Sequence, residues 1–331
     1  MSFEAEEAFE GTLLRLKEAQ NQREQFRTKW NAHLASVPYE FSLISDTAFD
    51  HRLMGHERRS VPPALGLHFG MWLQQQRAAL DNALYACVGV RQNSFPPARE
   101  NLIEFPITES PSKFRATKVI KNGVVETAVG DFLERNQPYC HPRDGSKHQD
   151  PHLSPLYWLN ELARIDRHRV MHVGVGSMQI SRDLILYAGA EHKVKHVVEQ
   201  GHILTGSTSL VGFTTVKPLR YRTFRFTKRP QILPEISDWS QARWNIGVFG
   251  DLHDPDPAER YHFAEGYAPL EKRMTDVELL VIDICNDLAS ISGVGRIFDS
   301  VRSSEYSFRR VDHQLRAVLA KEAPTRRVNG L

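Results

Sequence analysis

Long hydrophobic runs are missing from these 331 residues. No apolar stretch approaches the ~20 residues a helix needs to span a bilayer, which excludes a transmembrane helix and predicts no membrane partner. Cysteine is scarce, with Cys87, Cys140 and Cys285 making an odd number and no CxxC pair. That usage points to a reducing compartment and to no structural zinc site. The opening MSFEAEEAFEG is acidic where a signal peptide is basic then apolar, so the expected location is cytoplasmic. A dominant charge sign is lacking too: 42 Lys and Arg against 40 Asp and Glu leave a net charge of +2. Nucleic-acid binding would therefore need a local patch. Repeats and low-complexity tracts are absent.

What remains is ordinary globular material, 41% hydrophobic and 25% charged. Residues 4–34 read as a long polar helix with Phe9, Leu13, Leu16 and Phe26 as sparse apolar contacts. The segments YEFSLISD and FDHRLMGHERR alternate like a short hairpin. Residues 64–90 form a second helix, with a stripe through Leu65, Phe69, Leu73, Leu80, Leu84 and Cys87. LIEFPI suggests a short strand. Short helices are expected near residues 113–122 and 130–136. Residues 174–250 are β-rich and predict an antiparallel sheet of four to six strands. Thr275 and Glu278 resemble a capping box for a last helix over 275–293, buried through Val277, Leu280, Ile284, Leu288 and Ile291. The basic tail, 301–331, reads as partly disordered. The expected fold is α+β, one domain over 1–300, with a core of three to four long helices and an inserted antiparallel sheet.

Residues 154–173, SPLYWLNELARIDRHRVMHV, organise this picture. Ser154 is an N-cap, Pro155 suits the first helical position, and Leu156, Leu159, Leu162, Ala163, Val170 and Val173 make a stripe. Asp166 falls inside that stripe, between Arg167 and Arg169 at its edges, while His168 points away and His172 lies nearer the polar side. A core-facing carboxylate needs a partner, because an unpaired buried charge costs several kcal/mol. Arg77 interrupts the second helix's stripe in the same way, with Asp81 one turn on. The expectation is therefore a face-to-face packing in which Arg77 reaches Asp166. His141, His148 and His152 in the preceding loop lack a completed ligand set, so neither metal nor cofactor is predicted. The run KPLRYRTFRFTKR interleaves aromatic and basic residues, which suits either a solvated strand face or single-stranded nucleic acid.

Four segments carry a resemblance: QQRAALDNAL (75–84), IEFPI (103–107), NQPYCHP (136–142) and LNELARIDRHRVMHV (159–173). In order and spacing, from about residue 38 to about 295, they resemble a family of mostly actinobacterial hypothetical proteins with LRSALDHL, QFPI and NNIDKHRLLH motifs. The resemblance implies functional positions at Arg77, Asp81, Asp166, His168 and Arg169. Asn82 stands where that family has histidine, and Arg167 where lysine is usual. A remoter similarity is to the HEPN superfamily of helical RNases, whose motif Arg167, His168 and His172 match as R-H-x-x-x-H. That similarity implies a metal-independent endoribonuclease or RNA-binding protein, with His172 as acid or base and Arg167 steadying phosphorane charge. Against it stands a non-catalytic structural or interaction role, with a protein partner or a second copy of the chain.

Overall fold

The computed structural model describes residues 5–140, 150–168, 171–179, 187–188, 194–199, 203–215, 224–225, 231–239, 244–249, 261–266 and 270–301. The fold is α+β, as the sequence predicts. In chain order come helix α1 (Glu10–Ala35), strands β1 (Tyr39–Ser45) and β2 (Asp50–Glu57), and helix α2 (Ala64–Gln92). Three short helices follow: α3 (Pro111–Ala116), α4 (Lys118–Lys121) and α5 (Thr127–Arg135), then α6 (Pro155–His168). The β-rich region runs through β3 (Gly174–Gln179), β4 (Tyr187–Ala188), β5 (Val194–Glu199), β6 (Ile203–Leu204), β7 (Ser207–Thr215), β8 (Phe224–Arg225), β9 (Gln231–Ile236), β10 (Trp244–Phe249) and β11 (Tyr261–Gly266), and α7 (Leu270–Ile291) closes it. Among the described residues no helix is long and apolar enough to cross a membrane.

The chain divides into two compact units. The first comprises Met1–Arg27, Ala64–Val173 and Ile236–Ser307, and the second Thr28–Pro63, Gly174–Glu235 and Phe308–Leu331. In the first, α2 packs on both α6 and α7. Phe69, Trp72, Leu80 and Leu84 from α2, Leu159 and Leu162 from α6, and Met274, Val281, Ile284 and Leu288 from α7 are all buried. Close approach depends on two glycines of α2. A Cβ at Gly66 would stand 1.8 Å from the His172 carbonyl oxygen, and one at Gly70 would stand 2.2 Å from an Asp166 carboxylate oxygen.

The second unit holds a four-stranded sheet in the order β1-β2-β7-β5 and a three-stranded one in the order β6-β3-β9. The predicted hairpin forms, with β1 and β2 antiparallel from Tyr39↔Glu57 to Ser45↔His51. The β structure is not confined to an insertion after residue 174, because β2 pairs antiparallel with β7. Alternation decides this: Tyr39, Phe41, Leu53 and Phe213 bury one face, and an isolated hairpin could not cover it.

The boundaries of α6 and α7 differ from expectation. α7 begins at Leu270, so Thr275 and Glu278 lie inside it and form no capping box. The Thr275 hydroxyl donates back to the Glu271 carbonyl at 2.9 Å. α6 extends to His168 rather than to 173, and residues 171–173 are not helical. The His168 side chain, Arg169, Val170, the loop with His141 and His148, most of KPLRYRTFRFTKR and the tail from residue 302 lie outside the described residues.

Candidate functional site

Arg77 is buried, yet its partner is not Asp166. The guanidinium donates to Asp81 Oδ1 at 3.0 Å, to the Phe105 carbonyl at 2.6 Å and to Glu104 Oε1 at 3.3 Å. Asp81 Oδ1 also accepts the Phe105 amide at 2.8 Å. Arg77 and Asp81 stand one turn apart on α2, so together they supply both hydrogen bonds that a neighbouring strand would give Phe105. Gln137 repeats the device further along. Its Nε2 donates to the Pro106 carbonyl at 2.8 Å, and its Oε1 accepts the Thr108 amide at 2.9 Å.

These bonds explain why IEFPI is extended without being a strand: its main-chain groups are satisfied by side chains. They also bring three of the four motif segments together. QQRAALDNAL and NQPY grip IEFPI, whose Phe105 is fully buried. Burial pushes the Asp81 carboxyl up, against the opposing pull of Arg77, the Phe105 amide and Arg167, while Glu104 pushes it further up.

Asp166 faces α2 at a different place from the one expected. It is half-buried beside Gly70 and accepts a long 3.5 Å contact from Gln74 Nε2, which also donates to the Ala163 carbonyl at 3.0 Å. The two helices do pack face to face, but a glycine meets the carboxylate. Asp166 is only half-buried, so its carboxylate does not require a buried cation.

Arg167 is exposed, with Nε directed at the Ala163 carbonyl at 3.4 Å. His172 is 1% exposed. Its Nε2 bonds the Leu162 carbonyl at 3.0 Å and must be the donor there, and its ring meets Phe69 edge to face at 5.3 Å. A general base has to present a nitrogen to substrate. Here one nitrogen is committed and the ring is sealed, so Arg167 and His172 do not open onto a shared cleft. Among the described residues no group of three or more His, Cys, Asp or Glu is placed to hold a metal.

A buried ion pair that the sequence reading did not predict lies between two other helices. Arg23 on α1 meets Glu278 on α7 at 2.5 Å, with side-chain exposures of 3% and 8%. Trp72 Nε1 donates to the other Glu278 oxygen at 2.8 Å, and Arg23 also reaches Thr275 Oγ1 at 2.7 Å. Burial pushes the Glu278 carboxyl up, while Arg23 and the Trp72 bond hold it down. The signal was present in the sequence. Arg23 interrupts a stripe of Leu16, Ala19 and Phe26 just as Arg77 interrupts its own, and Glu278 sits in register with Met274, Val281 and Cys285. The polarity of the rest of α1 obscured it. A cavity of about 20 Å³ lies beside this pair, lined by Gln20, Gln76 and Thr275 among others. It has room for about one water and none for a substrate.

Comparison of the chain with family models, curated proteins and solved structures found no match.

Proposed function

We propose that the chain is a structural or interaction protein in which the α2–α6 polar constellation carries no chemistry. One observation carries this: Arg77, Asp81 and Gln137 each bond the main chain of residues 105–108, and Arg77 and Asp81 also bond one another. An active site keeps such groups aimed at a ligand. The burial of His172 points the same way. The three cysteines are free and buried, which suits a reducing compartment such as the cytoplasm. The partner class this favours is a protein, a second copy of the chain included.

The experiment is incubation of the purified chain with single-stranded and structured RNA, beside His172→Ala and Arg167→Ala variants of matched melting temperature. Wild type and variants should be equally inert. Cleavage by the wild type that disappears in folded His172→Ala would replace the structural role with an endoribonuclease, and RNA bound without cleavage would make RNA the partner.

A further inference from the structure

The second unit holds a serine–histidine arrangement that the α2–α6 constellation does not involve. On the four-stranded sheet, Tyr39, Phe41, Leu53 and Gly55 turn to the buried side. The alternate positions place Ser42, Met54 and His56 on the opposite face, and Ser207 stands directly across from His56 in register. His56 bonds both serines. Its Nε2 lies 2.7 Å from Ser42 Oγ and its Nδ1 lies 3.0 Å from Ser207 Oγ. Ser42 and His56 are half-buried and Ser207 is exposed, so a small molecule can reach all three.

A neutral imidazole has one N–H and one lone pair, so one serine must donate to it and the other must accept from it. One of the two tautomers puts Nδ1–H on Ser207 and the lone pair of Nε2 on Ser42. The result is the logic of a nucleophile, a base that takes its proton, and a third group that fixes the base's tautomer, with a serine where an aspartate is more familiar. The other such contact on this hairpin is different. Ser45 lies 2.8 Å from His51 Nδ1, but His51 is 2% exposed and its ring packs on Phe213 at 5.3 Å.

We propose that Ser42 is a reactive nucleophile, with His56 as its general base and Ser207 as a positioning residue, and that it takes the acyl group of small apolar carboxylic esters. Met54 stands directly opposite Ser42, and Ile44, two residues along β1 on the same face, is 39% exposed. These side chains give a short acyl chain an apolar surface beside the hydroxyl. Ser42 Oγ bonds to the ester carbonyl carbon as its proton passes to His56 Nε2. The tetrahedral adduct then collapses, the bond to the leaving oxygen breaks, and that oxygen takes the proton from Nε2. Water, deprotonated by His56, next attacks the acyl-serine carbonyl and releases the acid. Nε2 returns the proton to Ser42, so the sum is ester plus water to acid plus alcohol. This activity goes beyond the interaction role and does not depend on it.

The test is reaction of the full chain with a fluorophosphonate probe, with the labelled residue mapped by mass spectrometry, and turnover of p-nitrophenyl butyrate. The label is expected on Ser42, with labelling and turnover at least tenfold lower in Ser42→Ala and His56→Ala. Ser207→Ala should lower kcat with KM unchanged, and Ser207→Thr should restore it, a rescue that a merely structural serine would not show. Ser45→Ala should react like the wild type. No labelling of the folded wild type, or a label mapped elsewhere, overturns the proposal whatever the variants do. Equal turnover in wild type and Ser207→Ala overturns the relay through His56.

Discussion

Replacing Glu278 by leucine removes one carboxylate and strands two donors. Arg23, with 3% of its side chain exposed, loses its carboxylate partner and keeps the Thr275 hydroxyl and the Glu271 carbonyl. Trp72 Nε1, which donates to Glu278 at 2.8 Å, loses that acceptor. Breaking one side of a buried pair costs about 3–5 kcal/mol, and the stranded indole belongs within that range because the two losses share one oxygen pair. At roughly 2 °C per kcal/mol for a chain of this size, the melting temperature should fall by about 6–10 °C. Urea unfolding of wild type, Glu278→Leu, Arg23→Met and the double variant closes the cycle. The double variant should recover much of the loss, to within about 1–2 kcal/mol of wild type, since an apolar pair no longer needs desolvated charges to be matched. Glu24→Ala removes a surface pair with Arg27 whose side chains are 43% and 31% exposed, and should cost under about 1 kcal/mol. A Glu278→Leu loss as small as that of Glu24→Ala would refute the reasoning, because it would mean that neither donor was desolvated.

Arg77→Ala should destabilise by about 2–4 kcal/mol, since it leaves the Phe105 carbonyl and Asp81 short of their donor, and Asp166→Ala by about 1 kcal/mol or less; equal losses in thermal melts would restore the Arg77–Asp166 pair. Gly66→Ala should be far more damaging than Gly70→Ala when the two melts are compared, because the first meets the His172 main chain and the second only a carboxylate that can swing aside. Burial lowers the affinity of His33 and His51 for a proton, so the unfolded chain protonates first as pH falls below about 6.5. Stability is complete above that pH and is lost on the way down through the lowered folded values; His33→Phe should flatten the slope in a pH series of melts, and an unchanged slope would remove His33 from the linkage.

Much of the fold was legible where periodicity is strong. The stripe of α2 and the alternation of β1 and β2 each state a buried face directly, and each element forms. Side-chain pairing was less legible. An arginine inside an apolar stripe announces that it needs an acceptor, but the sequence does not say whether that acceptor is a carboxylate on a facing helix or a carbonyl in a loop. For Arg77 it was the loop, and for Arg23 it was a helix more than two hundred residues away. Asp166 misled because its wheel position says that it faces α2 without saying that Gly70 meets it there. His172 misled in the opposite direction. Its wheel angle assumed a helix continuing to residue 173, whereas the chain leaves helical geometry before that and turns the ring against Phe69.

Hydrogen exchange at the Phe105 amide tests most directly whether Arg77 and Asp81 are spent on architecture. In the wild type that amide should be strongly protected although it belongs to no strand, and Asp81→Ala should speed its exchange on the order of a hundredfold, the equivalent of about 2.7 kcal/mol for a charge-assisted bond. Protection unchanged in Asp81→Ala would contradict the clamp and free both side chains for chemistry.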